Sequence, residues 1–108
     1  MSSTSPFQPA RGKNQKVTAS TTSATITCGA GNRAIRVVNQ GAVLGYFVTF
    51  KASDEPGKLC TNGETPVAVS GGAGSVLVIE KPLDHDSIAY LADSTTTVMH
   101  FQPGEAGT

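Results

Sequence analysis

Short apolar or alternating runs recur about every ten residues along this chain, each bounded by Gly, Ser, Thr, Asn, Asp or Pro, and that rhythm limits the fold more than any single motif. Strands at spacings of roughly 8–12 residues, with turn-forming residues between them, build antiparallel sandwiches or barrels. About eight such runs are legible, at residues 15–19, 23–28, 33–39, 44–52, 66–69, 75–81, 87–92 and 96–102. The expected fold is therefore all-β, an antiparallel β-sandwich of about eight strands with no helix longer than a turn. A chain of 108 residues makes one domain at most. Its divisions read as an extended N-terminal arm (1–14), a β-sandwich domain (15–102) and a C-terminal tail (103–108) without periodicity.

Successive side chains of a strand point to opposite faces, so each run can be sorted into two sets. Ile35 and Val37 oppose Arg36 and Val38; Tyr46, Val48 and Phe50 oppose Phe47 and Thr49. The more apolar sets predict a core containing Ile26, Ile35, Val37, Tyr46, Val48, Phe50, Val78, Ile88 and Tyr90. Phe47 then falls on the other face, as a contact residue. The runs at 87–92 and 96–102 flank Asp93-Ser94-Thr95 and read as a hairpin. With no Trp, four Phe and two Tyr, the core is lean, and partner contacts are expected to bury what it cannot.

Net charge is zero but unevenly spread. Arg11, Lys13, Lys16, Arg33, Arg36 and Lys51 precede Asp54, and no acid does; all eight acids follow, with only Lys58 and Lys81 among them. Oriented docking is the natural use of such a division, whereas a nucleic-acid binder would carry a basic excess. No run approaches the roughly 20 apolar residues of a membrane span, and the first residues lack the apolar stretch of a secretory signal. Synthesis and use in a cytoplasm is the expectation, with Cys28 and Cys60 reduced and buried. A bridge formed after release into an oxidising medium is the alternative.

Three motifs carry possible chemistry. Gly29-Ala30-Gly31-Asn32-Arg33-Ala34 matches a dinucleotide-binding fingerprint, but that chemistry needs a helix after the glycines and a strand-forming run follows, so a turn is expected. Asp84-His85-Asp86 gathers three potential ligands that a turn would splay apart, and His100 sits in another strand. Tyr46, Phe47 and Phe50 fit a core better than a stacking platform. No nucleophile lies with a base and an orienting acid, so no catalytic set, cofactor or metal is assigned.

Phe7-Gln8-Pro9-Ala10-Arg11-Gly12, then Arg36-Val37-Val38-Asn39-Gln40-Gly41 with Tyr46-Phe47-Val48-Thr49-Phe50, resemble small virion structural proteins of tailed phages. So do His85-Asp86-Ser87-Ile88-Ala89-Tyr90-Leu91 and Pro103-Gly104-Glu105. The resemblance implies a jelly-roll-like capsid cement or decoration protein without enzymatic activity. Its expected partners are the major capsid protein and further copies of itself, as a homodimer or homotrimer, on the capsid surface of a virion assembled in the host cytoplasm; nucleic acid and membrane are not among them. Expected contact residues are Phe7 and Arg11 in the arm, Phe47, and Asp54, Glu55 and Lys58 in the long charged loop at 53–65. The alternative is a receptor- or glycan-binding module of a phage fibre or tail.

Overall fold

The computed structural model describes residues 5–9, 12–72 and 74–107. Their nine strands are β1 (Ser5–Pro9), β2 (Gln15–Ser20), β3 (Ala24–Thr27), β4 (Ala34–Asn39), β5 (Gly45–Phe50), β6 (Thr65–Val67), β7 (Val76–Glu80), β8 (Ser87–Ala92) and β9 (Thr96–Gly107). No helix is present among the described residues.

The strands form two antiparallel sheets. In sheet A the order is β2-β9-β4-β7, with β1 also on β9; in sheet B it is β3-β8-β5-β6. This order follows from one operation. A ribbon made of β2 to β5, folded back on β6 to β9, pairs β2 with β9, β3 with β8, β4 with β7 and β5 with β6. Rolling the ribbon then brings β4 against β9 and β5 against β8. The result is a jelly roll, as the strand rhythm and the resemblance together implied.

Three readings of the sequence change. First, β8 and β9 are not a hairpin: β8 pairs β3 and β5 while β9 pairs β2 and β4, so Asp93-Ser94-Thr95 arches from one sheet to the other. Thr95 adopts φ 42°, the left-handed conformation that makes the sharp exit possible. Second, the tail is strand. β9 continues through Pro103 and Gly104 to Gly107, and β1 pairs with this extension, Gln8 opposite Glu105 and Pro9 opposite Gly104. β2 takes the earlier part of the same edge, from Ser20–Thr96 to Gln15–Phe101. Pro103 sits at the step between them. The N–H it lacks would point into that step, not toward β4, so no ladder bond is lost.

Third, β5 is turned over. Phe47, 1% exposed, faces the interior, with its ring 5.9 Å from Phe101, whose ring lies 5.8 Å from Tyr90. Ile35, Val37, Val67, Ile88 and Met99 complete this core, with Ile26, Leu77 and Ile79 packed at its margin. Tyr46 and Val48 are half-buried on the outer face of sheet B, and Val78 is exposed on the outer face of sheet A. The inner face of β5 looked poor because Gly45 offers no side chain. It is bare because Met99 fills the space: a Cβ there would stand 2.7 Å from the Met99 sulfur.

Asn39, 1% exposed, ties the sheets together at the end of β4. Its amide donates to the carbonyls of Val43 (2.8 Å) and Val67 (3.2 Å), and its oxygen accepts from Gly41 N–H (2.9 Å) and the Thr97 hydroxyl (2.6 Å). Such a buried amide is stabilising only when all its bonds are made, as here. Gly41 is part of the same fit, since a Cβ would overlap Thr97 Oγ1.

Candidate interaction surfaces

Two outer faces remain once the core is closed, and they are built differently. Over sheet B the β5–β6 connection folds back across the strands. Cys60 packs with Phe50 and Ala89, flanked by Tyr46, Val48 and Leu91, as a second apolar cluster. Two bonds pin this connection: Ala52 N–H donates to Asp86 Oδ1 (3.0 Å) and Cys60 N–H to Ser23 Oγ (2.8 Å). Asp86 also accepts from the Ser87 hydroxyl, and the Ala52 N–H together with that hydroxyl hold its carboxyl below the usual range. Burial pushes the Cys60 thiol up to about 11, with Glu64 adding to the effect. Cys28 is also raised by burial, against the opposing pull of Lys81. Both thiols are free, and they belong to separate clusters, Cys28 between the sheets and Cys60 outside sheet B. The alternative of a bridge between them does not fit this arrangement.

The outer face of sheet A has no such cover among the described residues. Here an open groove of about 420 Å³ is lined by Asn14, Arg36, Val38, Gln40, His100 and Gln102. The β4–β9 register places Arg36 beside Gln102 and Val38 beside His100. Arg36 Nη2 donates to Gln102 Oε1 (3.1 Å); His100 bonds Asn14 through Nδ1 (3.0 Å) and Gln40 through Nε2 (2.7 Å). Toward the edge of the same face, Val76 and Val78 of β7 lie 56% and 46% exposed. The surface is thus an amide- and base-lined centre with an apolar margin.

The expected contact residues fall in several places. Asp54 and Glu55 are exposed on the loop over sheet B, and Lys58 is half-buried there, 3.6 Å from Glu55. Phe7 stands in β1, and Arg11 lies outside the described residues. Phe47 is a correction: a ring packed between the sheets cannot meet a partner unless the sandwich opens. Leu59, 65% exposed on the same loop, was not singled out. Neither were Arg36, Gln40, His100 and Gln102, although the outward parity of Arg36 on β4 and of His100 and Gln102 on β9 was readable; what brings them together, with Gln40 just past the end of β4, is the non-local β4–β9 pairing.

The other motifs resolve as local structure. Gly29 and Gly31 take φ 82° and 98° in a turn that leads directly into β4. In the 84–86 turn, His85 Nδ1 meets the Thr49 hydroxyl (3.0 Å) while Asp86 holds Ala52. Lys81, 3% exposed, clasps the turn by donating to the carbonyls of Pro82 and His85. Tyr46 donates its hydroxyl to Asp93 (3.2 Å), and its pKa rises through desolvation and that carboxylate. Among the described residues no group of three or more His, Cys, Asp or Glu could hold a metal ion. Among the same residues no helix is long and apolar enough to cross a membrane. Compared with protein-family models and with curated proteins, the sequence matches none.

Proposed function

We propose that this protein is a non-enzymatic structural module of a phage virion, binding the assembled capsid and stabilising it. The observation that supports this reading best is the contrast between a closed jelly roll and its uncovered sheet A face, whose centre is Arg36, His100 and three amides. A face of that kind suits a broad, partly wet contact with another protein better than enclosure of a small molecule. The N-terminal arm and the 53–65 loop, with Phe7, Arg11, Asp54, Glu55 and Lys58, are the further contacts in this reading. Many weak copies on a symmetric shell add up through multivalency. The partners are the major capsid protein and further copies of this chain.

The test is a virion preparation lacking the protein. Such particles should break at lower temperature or milder osmotic shock while adsorbing normally to cells. Particles that are equally robust but fail to adsorb would replace this reading with a receptor- or glycan-binding module of a fibre or tail, for which the amide-rich groove would be the binding face.

A further inference from the structure

A sheet edge left open is a template for another strand, and folded proteins blunt such edges with short strands, proline, lysine, breaks or covers. Three of the four edges of this sandwich are managed. β6 is three residues long and contains Pro66. On β3 the outward carbonyl of Thr27 is capped by the Gln15 amide at 2.5 Å. The β1/β2 edge is stepped, with Gly12 at φ 73° in the step, and carries Lys16.

Among the described residues β7 has none of these devices. Its sequence, Val-Leu-Val-Ile-Glu, holds neither proline nor lysine and pairs with β4 in unbroken register over all five residues. Asn39 N–H bonds to Ser75 O on one side of this ladder, and Lys81 N–H to Arg33 O on the other. In an antiparallel pair the bonded residues alternate, so Leu77 and Ile79 turn their backbone groups toward β4. The N–H and C=O of Val76, Val78 and Glu80 therefore point out of the sheet. Those residues also carry the exposed side chains.

We infer that β7 is a self-complementary edge that pairs antiparallel with β7 of a second copy, about a two-fold axis between the two Val78 residues. This register engages every outward backbone group: Val78 faces Val78, and Val76 faces Glu80. Leu77 meets Ile79 of the second copy on the inner side, so the two cores become continuous across the joint. Antiparallel pairing also sends the two Glu80 carboxylates to opposite ends, roughly 14 Å apart along the strand, where a parallel pair would set them side by side. The joint is small, so association on the order of micromolar strength is expected. This sharpens the self-association within the proposed function and does not depend on the capsid: a monomer that still bound heads would overturn the inference and leave that function standing.

Sedimentation of the full chain from about 1 to 100 µM should show a concentration-dependent dimer. Val78→Lys should weaken it ~10-fold or more. Val78→Pro should do the same while keeping a wild-type circular dichroism spectrum, because the N–H it removes faces the free edge and not β4. Cysteine substitution then reads the register. In the proposed pair the Val78 Cα atoms lie about 5.5 Å apart, within disulfide reach, whereas the two Val76 residues are separated along the strand. Under a mild oxidant Val78→Cys should link into dimers and Val76→Cys should not; Cys28 and Cys60 are buried and do not compete. A monomer across the whole concentration range would overturn the inference. So would a dimer indifferent to Val78→Lys, or one linked through position 76 in preference to 78.

Discussion

Sheet A and sheet B have the same strand count in the roll and opposite treatment of their outer faces. Sheet B is covered: the β5–β6 connection supplies Cys60 to a cluster with Phe50 and Ala89, so β5 is apolar on both sides. Sheet A is open, and β4 is apolar on one side, with Arg36 taking part in a polar groove on the other. The contrast marks where alternation can be trusted. A strand with one solvated face announces its inner side; a strand with a loop over its back does not.

The largest effects should come from the two faces of β5. Phe47→Asp should abolish soluble folding, because it strands a charge between the sheets. Val48→Asp, on the covered outer face, should leave the sandwich folded while loosening the 51–64 connection, seen as a native-like spectrum with Cys60 newly open to a thiol reagent. If Val48→Asp fails to fold and Phe47→Asp is tolerated, the assignment of faces is reversed.

Next in size is the point where both sheets meet. Asn39→Leu keeps the bulk but leaves the Thr97 hydroxyl, Gly41 N–H and two carbonyls without their partner, and should cost about 4 kcal/mol in urea unfolding. A loss below about 1 kcal/mol would mean that water replaces the amide.

Smaller, and confined to the covered side, are two pH effects. Cys60 titrates near 11 when folded against an ordinary value of 9.0, so the folded state holds its proton more tightly. Its contribution to stability is full below pH 9 and should be lost as pH rises through about 11; Cys60→Ala should flatten that limb. Asp86 moves the other way. Its folded value lies below the ordinary 3.8, so its contribution is present above that pH and is lost as pH falls further. Melting temperatures across both ranges, compared with Asp86→Asn at the acid end, check both signs.

The smallest effect should be on the open face. Arg36→Ala or His100→Ala should change stability by no more than about 1 kcal/mol, while weakening attachment to capsids if that face is the contact. A larger destabilisation would show that the groove's bonds are structural.

These contrasts also explain what the sequence disclosed. Strand positions were legible because turn residues punctuate the chain, and β8 falls where its run was drawn. Ile35, Val37, Ile88 and Tyr90 were legible as core because their runs are buried whole or have one polar side. Tyr46 and Val48 were misread because the cover over them comes from a loop with no pattern of its own. The end of β9 was missed because Pro103 and Gly104 carry no alternation, and backbone pairing alone makes them strand. Of the candidate surfaces, Asp54 and Glu55 were visible as an exposed charged loop. The groove was not, since it forms only when β4 meets β9, with Arg36 and Gln102 66 positions apart.

β9 is the last described strand and also the spine of sheet A, flanked by β4 on one side and by β2 and β1 in turn on the other. The strands of sheet B are complete by Ala92, but sheet A has no centre until residues 96–107 exist. On a ribosome, which adds about 5–20 residues per second, β1 and β2 must therefore wait for a partner that is made after both of them, while β4 can pair with β7 but keeps its other side open until then. Sheet B can zip first, exposing its inner face until the final strand slides between β2 and β4. The order of synthesis thus leaves the first strands as the last to be secured, so a chain stalled or ended before β9 would present an unpaired β2 and an open edge of β4, together with an uncovered Phe47.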